Sequence, residues 1–327
     1  MSPVRVCVAA LLLTAPGAGA QRVVDLPGQD RALELALQPV YVVGAVEGED
    51  WEVFGSVDAV AFDGEGNLYV LDGQNARVVV FDREGGHLRT VGRRGEGPGE
   101  FQMPQGMTVT AAEELVVYDM ARSAYSVLAM DGSFVGSVPT DLMSLGARPQ
   151  ADLRPYPRGG FLSAYRGFDL DTGNPDTDVR NGDALPILRY DLAAGEGAEL
   201  FRGRFTGPPA TMVARPGERR MNMGAPPAFS PRFRWGVLPD GGAAWMEGAG
   251  YAVSVVGPDG TVVRTLRRPF EPRRVTARDR EDEKARRLEI LDSTGEGAPV
   301  SVTNVNGVMT TRRDVEAGKR MVEQLEF

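Results

Sequence analysis

The chain has 327 residues and a formal net charge of −9 at pH 7, which allows one large repeat domain or two ordinary domains. The acidic balance excludes a nucleic-acid partner, because phosphate binding requires a basic surface. One cysteine, Cys7, and one histidine, His87, exclude a disulfide framework, a histidine-rich metal site and a Cys–His dyad.

Residues 1–20 have the pattern of a secretory signal peptide. Arg5 gives a positive start, residues 6–13 form an apolar stretch too short to span a bilayer, and residues 18–20 form a small-residue cleavage site. Cleavage removes Cys7 and Arg5, so the mature chain has no thiol. We therefore expect a secreted or periplasmic protein with no membrane span after cleavage; an uncleaved anchor is the alternative.

A polar lead-in occupies residues 21–39. Residues 40–43 and 51–54 then have the composition of two strands around an acidic turn. In a ring of sheets, an N-terminal strand often completes the last sheet and hides its open edge. We assign residues 40–43 that role.

Residues 55–138 contain one unit followed at once by a second copy. Residues 66–72 align with residues 113–119, and Gly85 aligns with Gly132, at a constant offset of 47 positions. A fixed period in the range of about 20–50 residues marks a repeat architecture.

Each unit contains short apolar runs separated by turns rich in Gly, Asn and Asp. In the first unit the runs are residues 57–62, 68–71, 77–81 and 87–91. All are too short for an ordinary helix and fit strands. Four antiparallel strands in each repeat is the pattern of a β-propeller blade.

A glycine-rich stretch at residues 91–106 joins the two units. It is not a phosphate loop, because no Gly-Lys-Ser/Thr ends it and no long helix follows. We interpret it as a connector between blades, with Phe101 anchored between the sheets.

Two further units follow. The third begins near Leu153 and carries an insertion at residues 166–186, which we expect on one face of the ring, often the binding face. A long connector follows at residues 202–230. Loops of that length are usually functional lids or disordered. The fourth unit returns in phase, with Gly241 and Gly260 placed 175 positions after Gly66 and Gly85.

The character of the chain changes after residue 275. Residues 276–291 and 311–325 have apolar spacing typical of helices, and residues 301–308 are weakly strand-like. No fifth copy of the repeat follows. We interpret residues 40–275 as propeller blades and residues 276–327 as a helix-rich insertion or a lead-in to missing blades.

Residues 63–72, 75, 77–82 and 95–106 resemble NHL-repeat proteins, and in particular the bacterial secreted six-bladed β-propeller proteins related to them. The resemblance is strong over residues 55–140, moderate over residues 153–204 and 236–267, and absent after residue 275. It implies an all-β, six-bladed propeller of four-stranded antiparallel blades. Only four units are recognisable here, and we expect a chain that is incomplete at its C-terminus.

The first candidate site consists of acidic residues at equivalent positions of three units. At the mouth of a propeller, such residues can line the central channel, with Arg77 as a ligand for an anion. Alternatively, each carboxylate caps a tight turn by accepting backbone hydrogen bonds. The binding candidates are Asp72, Arg77, Asp119 and Glu247.

The second candidate site is an acidic cluster in the insertion of the third unit. Carboxylate and amide oxygens at close spacing suit calcium, although the spacing is not that of an EF-hand loop. A plain acidic hairpin tip is the alternative. The candidate ligands are Asp169, Asp171, Asn174, Asp176 and Asp178, and the sequence predicts no other cofactor.

No residue pattern predicts a catalytic group. His87 follows Gly86 at the start of an outer strand, where we expect it to face solvent. Nothing marks a nucleophile elbow, and one histidine excludes the propeller lyases that use several histidines around zinc.

Two functions from different classes therefore remain. The first is a non-enzymatic binding or scaffold module outside the cytoplasm that holds a protein, peptide or glycan on its loop face. The alternative is a calcium-dependent hydrolase or lactonase on the same architecture. That alternative requires carboxylates and an Asn from different blades to converge on the central axis, and fold alone does not decide between the two.

Overall fold

The computed structural model describes residues 22–29, 36–140, 146–204, 209–215, 218–222, 228–230, 232–246, 248, 250–295, 300–305 and 308–324. The signal peptide predicted for residues 1–20 lies outside the described residues. The strands in chain order are β1 (Arg22–Asp25), β2 (Ala59–Phe62), β3 (Leu68–Asp72), β4 (Arg77–Phe81), β5 (His87–Val91), β6 (Pro104–Val109), β7 (Glu114–Asp119), β8 (Ala124–Ala129), β9 (Phe134–Pro139), β10 (Ala147–Pro155), β11 (Phe161–Gly167), β12 (Asp169–Asp171), β13 (Ala184–Asp191), β14 (Glu196–Arg204), β15 (Thr211–Arg215), β16 (Glu218–Asn222), β17 (Arg234–Val237), β18 (Ala243–Met246), β19 (Ala252–Val256), β20 (Val262–Arg267), β21 (Val300–Val305) and β22 (Val308–Arg313).

Among the described residues, four sheets each contain four antiparallel blade strands, and the fourth of these sheets also carries β1. Blade one is β2–β5, blade two is β6–β9, blade three is β10, β11, β13 and β14, and blade four is β17–β20. The predicted fold class, a propeller of four-stranded blades with a helical C-terminal segment, is confirmed. The aligned segments β3 and β7 are the second strands of their blades.

The glycines of the repeat lie in turns that require a left-handed backbone. Gly66 and Gly85 have φ values of 86° and 89°, and Gly132 has 91°. Glycine adopts these angles without the steric cost that a Cβ imposes. The repeat of glycines therefore records the positions of tight turns between strands.

The strand predicted at residues 40–43 is wrong. Its place on the outer edge of blade four is taken by β1, which pairs in parallel with β20 from Arg22 opposite Arg264 to Asp25 opposite Arg267. Residues 40–43 and 51–54 form no strand. Instead Val43, Trp51 and Phe54 pack on the face of blade one that points away from blade two. The apolar side chains of this segment therefore cover one face of blade one, and its backbone does not pair as a strand.

Three apolar clusters hold neighbouring blades together. The cluster between blades one and two includes Tyr69, Leu71, Leu115 and Leu128, and Phe101 from the connector is fully buried in it. The predicted anchoring of Phe101 between the sheets is confirmed. Corresponding clusters join blade two to blade three and blade three to blade four.

The insertion of blade three and the connector to blade four form an accessory sheet. β12 pairs in parallel with β15, and β15 pairs antiparallel with β16. Phe168, Leu170 and Ala210 form a buried apolar cluster against which Met212 and Ala214 of β15 pack. The prediction of a disordered loop is therefore wrong for β15 and β16, because β12 and β15 pair although they are distant in sequence. A lid role for residues 202–230 stays a prediction.

In the described part of the C-terminal segment there are two helices, as predicted. Helix α1 (Ala277–Thr294) begins at a capping box of Thr276 and Asp279, and it ends at Gly295. Helix α2 (Val315–Glu323) begins after Asp314, which accepts a hydrogen bond from the Ala317 N–H. Its start is later than predicted because residues 308–313 belong to the hairpin of β21 and β22. Among the described residues, no helix combines the length and apolar character that crossing a membrane requires.

Replacing Phe101 tests the packing between blades. We expect Phe101→Ala to lower the free energy of unfolding by about 3–5 kcal/mol, because the change empties a fully buried ring site. Urea unfolding measures the difference. The control is Phe134→Ala on β9, a more exposed ring, for which we expect a loss within about 1 kcal/mol. Equal losses in the two variants would contradict the role of Phe101.

Candidate functional site

The blades have two distinct ends. At one end of each blade the first strand begins and the second strand finishes; we call this end the loop face. The turns between first and second strands and between third and fourth strands lie at the opposite end, the turn face. The insertion after β11 and the connector after β14 both leave from the loop face, so the accessory sheet belongs to that face.

Asp72 ends the second strand of blade one and is 0% exposed. Its carboxylate accepts hydrogen bonds from the backbone N–H groups of Gly55 and Ser56, both at 3.2 Å. It also accepts from Asn75 Nδ2 at 2.8 Å and from Arg77 Nε at 3.1 Å. Burial by itself raises the pKa of Asp72, but the hydrogen bonds from Asn75, Ser56 and Gly55 together hold the pKa below its ordinary value.

Asp119 makes the equivalent contacts in blade two. It is also fully buried, and it accepts from the N–H groups of Gln102 at 2.7 Å and Met103 at 3.1 Å. Further bonds come from the N–H groups of Ala121 and Arg122 in its own turn. Gln102 and Met103 lie 47 positions after Gly55 and Ser56, so the interaction repeats with the blades.

These contacts occupy both carboxylates within the fold. Arg77 is engaged as well, since its Nη2 donates to the carbonyls of Asp50 at 2.6 Å and Val53 at 2.8 Å. Glu247, the third acidic candidate, lies outside the described residues. The ligand-binding role of Asp72, Arg77, Asp119 and Glu247 stays a prediction.

Blade three replaces the aspartate with a tyrosine. Phe161 pairs with Tyr190 as Leu68 pairs with Phe81, so Tyr165 occupies the position of Asp72. Its hydroxyl is fully buried, lies 3.1 Å from that of Tyr125 and contacts that of Tyr190. Burial raises the pKa of Tyr125 and of Tyr165 well above the ordinary value. Sequence reasoning missed this cluster, although an aromatic residue in the place of an acid was visible.

The acidic residues of the insertion are engaged locally. Asp169 accepts from the N–H groups of Asn181 at 3.0 Å and Gly182 at 2.9 Å. Asp171 forms a two-point ion pair with Arg215 at 2.6 and 2.9 Å. That hydrogen-bonded ion pair lowers the pKa of Asp171.

The remaining candidates shape the tip of the insertion. Asp178 accepts from the Thr172 N–H at 2.8 Å, and Asn174 Oδ1 accepts from the Asp176 N–H at 3.1 Å. Within the part of the chain that the structure describes, no three His, Cys, Asp or Glu side chains are grouped to hold a metal ion. Calcium at Asp169, Asp171, Asn174, Asp176 and Asp178 stays a prediction.

His87 does not simply face solvent. Its ring stacks on that of Trp51 with centroids 4.6 Å apart and planes 7° from parallel. The side chain is half-buried at the start of β5. The segment before blade one, which was expected to form strands, provides this partner.

A cleft of about 470 Å³ lies between the first strands of all four blades. It is on the side of the turn face, since it is lined by the last residues of these strands. Val60 and Phe62 are 57% and 59% exposed there. Among the described residues, the cleft lining contains one charged side chain, that of Arg154. Its Nε lies 3.2 Å from Asp152 Oδ1, and its Cζ lies 5.0 Å from the centre of the Trp235 ring. The lining residues are Val60, Ala61, Phe62, Met107, Thr108, Val109, Leu153, Arg154, Pro155, Pro157, Val237, Leu238 and Pro239.

Comparison with known proteins agrees with this architecture over part of the chain. Residues 45–169 match the model of a family described as a 6-bladed beta-propeller. No curated protein matches the chain in sequence.

Solved structures that align with this chain include the following three. A protein of Bacteroides fragilis described as exported is 14% identical, with a TM-score of 0.45 over 81% of this chain and 65% of that chain. A member of the DUF4221 family from Bacteroides vulgatus is 11% identical, with a TM-score of 0.40 over 68% and 60%. A catalytically inactive virginiamycin B lyase from Staphylococcus aureus with quinupristin is 11% identical, with a TM-score of 0.37 over 66% and 56%. The chain thus spans less than two thirds of the length of each.

Acid titration tests the role of Asp72. Because its folded-state pKa is lowered, the carboxylate contributes stability above the unfolded-state value of about 3.9, and this is lost as the pH falls through the folded-state value. We expect Asp72→Asn to cost about 3 kcal/mol at pH 7 and to flatten the fall in stability below about pH 5.

Urea unfolding between pH 7 and pH 3 makes this measurement. The exposed Glu84→Gln variant on the turn face is the control, for which we expect a change within about 0.5 kcal/mol at pH 7. An Asp72→Asn variant with the acid slope of the parent protein would contradict the assignment.

Calcium titration tests the insertion. Bound calcium would stabilise the folded state, so the melting temperature reports calcium binding. Because Arg215 already neutralises Asp171, we expect about 5 mM calcium to raise the melting temperature no more than sodium chloride of equal ionic strength does. Thermal melts of the purified protein provide the readout. A calcium-specific rise that Asp178→Asn abolishes would establish the metal site.

Proposed function

We propose that this chain is a non-enzymatic binding or scaffold module that acts outside the cytoplasm and holds a protein, peptide or glycan on its loop face. The observation that carries the proposal is the accessory sheet. Two segments that the other described blades lack, the insertion of blade three and the connector to blade four, pair there with each other.

The accessory sheet supports this proposal because it presents polar groups on a supported frame. The Asp171–Arg215 ion pair joins the insertion to the connector, and Phe168 and Leu170 of the insertion pack with Met212 and Ala214 of the connector. The tip above this frame exposes Asp176 and Arg180. Loops held on a rigid scaffold are the usual carriers of binding residues.

The arrangement of the aspartates favours binding over hydrolysis. A calcium-dependent hydrolase or lactonase needs carboxylates from several blades directed at one point. Asp72 and Asp119 are each directed at the backbone of their own blade, and Tyr165 takes the equivalent place in blade three. The location outside the cytoplasm is supported by the signal-peptide pattern of residues 1–20.

A matched pair of charge exchanges tests which face holds the ligand. Asp176→Lys with Arg180→Glu changes the loop face, and Glu65→Lys with Arg83→Glu changes the turn face; all four residues are exposed, and neither exchange alters the net charge. We expect the peptide or glycan bound by the parent protein on arrays to bind at least about tenfold more weakly to the loop-face variant. This corresponds to losing about 1.4 kcal/mol of contacts.

The turn-face variant should keep the affinity of the parent protein, and far-ultraviolet circular dichroism verifies that both variants are folded. Loss of binding in the turn-face variant alone would assign the ligand to the turn face and contradict the proposal. A parent protein that binds neither peptides nor glycans would contradict it as well.

A further inference from the structure

Two arginines face each other at the loop end of blade three. Arg148 near the start of β10 pairs directly with Arg166 near the end of β11. Residues directly opposite in an antiparallel pair project from the same side of the sheet, and like charges in that position repel each other. Arg166 is only 5% exposed and Arg148 is half-buried, so water screens this repulsion poorly.

The protonation behaviour of the pair agrees with this geometry. Burial lowers the pKa of Arg148. Burial first, and then the charge of Arg148, lowers the pKa of Arg166 to about 10, although Asp183 acts in the opposite direction. Both side chains therefore remain cationic at neutral pH.

Nearby donors lack acceptors. Arg148 Nε and Gln150 Nε2 are buried and have no hydrogen-bond partner among the described residues. Arg148 also takes part in none of the ion pairs formed by the residues that the structure describes. The neighbouring Tyr118 does not neutralise it, because burial raises the pKa of Tyr118 to about 12 and its hydroxyl stays uncharged at pH 7.

Arg148 differs in this respect from the buried aspartates of blades one and two. Asp72 and Asp119 each have several hydrogen-bond donors. Leaving a buried charge or donor unpaired is costly. The Arg148 Nε and Gln150 Nε2 donors, beside the positive charge of Arg166, are thus complementary to a group that brings negative charge and several acceptor oxygens.

We propose that Arg148, Arg166 and the Gln150 amide form an anion-binding site that takes an oxyanion group, either a carboxylate or a phosphate. Guanidinium groups bind both groups through paired N–H···O hydrogen bonds. One bound oxyanion would contact both arginines and remove their mutual repulsion. The site lies on the loop face, so the oxyanion is assigned to the ligand of the proposed function; only that assignment, and not anion binding itself, rests on the proposed function.

Thermal melts and calorimetry with inorganic phosphate and with acetate test the site, at constant ionic strength kept with sodium chloride. We expect phosphate, acetate or both to raise the melting temperature of the parent protein. For Arg148→Gln we expect affinity at least about tenfold lower, as removal of one charge-assisted contact implies. In chloride alone, Arg148→Gln should be at least as stable as the parent protein, because it removes the repulsion between the arginines.

The matched control is Arg89→Gln. Arg89 is a half-buried arginine on β5 whose Nε also lacks a partner among the described residues, but its Nη2 donates to the Tyr69 hydroxyl and its directly paired residue on β4 is Val80. We expect this variant to keep the anion response of the parent protein even if it melts at a lower temperature. Arg148→Lys keeps the charge without the planar guanidinium, so its affinity should lie between those of the parent protein and Arg148→Gln.

The two arms distinguish the sources of the oxyanion. A response to phosphate alone assigns a phosphate group, and a response to acetate alone assigns a carboxylate. No response to either anion, or an equal response in Arg148→Gln, would overturn the site. An anion response in a protein that binds no peptide or glycan would remove the proposed function and leave the anion site in place.

Discussion

Blades one and two share one repeated contact between a buried carboxylate and the backbone. Asp72 and Asp119 each join the end of a second strand to the segment that enters the first strand of the same blade. A carboxylate that accepts several N–H groups satisfies donors that would otherwise be buried without partners. The contact also fixes where the first strand of the blade begins. Apolar clusters between neighbouring sheets then hold the blades together.

Much of this architecture was predictable because its determinants are local. The turn glycines and the short strands lie within a few residues of one another, so the offset between Gly85 and Gly132 is readable without coordinates. The Thr276 cap of α1 is local in the same sense. The parallel pairing of β1 with β20 and of β12 with β15 joins segments far apart in sequence. Neither pairing leaves a periodic pattern in the sequence. The apolar residues 40–43 favoured a strand at the edge position that β1 occupies.

The candidate site was predictable only in part for a related reason. Sequence position identified Asp72 and Asp119 as equivalent residues, but it did not reveal which backbone groups they meet. Close spacing in the insertion suggested calcium, yet spacing cannot show that Asp171 meets Arg215 on the connector. The opposition of Arg148 and Arg166 depends on the register of β10 and β11, which contains an irregularity between Pro149 and Leu153. Register of that kind is set by the surrounding packing.

The parallel strand β1 has a consequence for the order of events during biosynthesis. Arg22 leaves the ribosome long before Arg264, its partner on β20, and the Asp25–Arg267 contact spans 242 positions. Contacts of such separation form slowly, because a long loop must close first. The outermost strand of blade four is thus made first and placed last. A nascent chain interrupted before residue 264 would keep this N-terminal strand without its sheet, open to chaperones or to proteases.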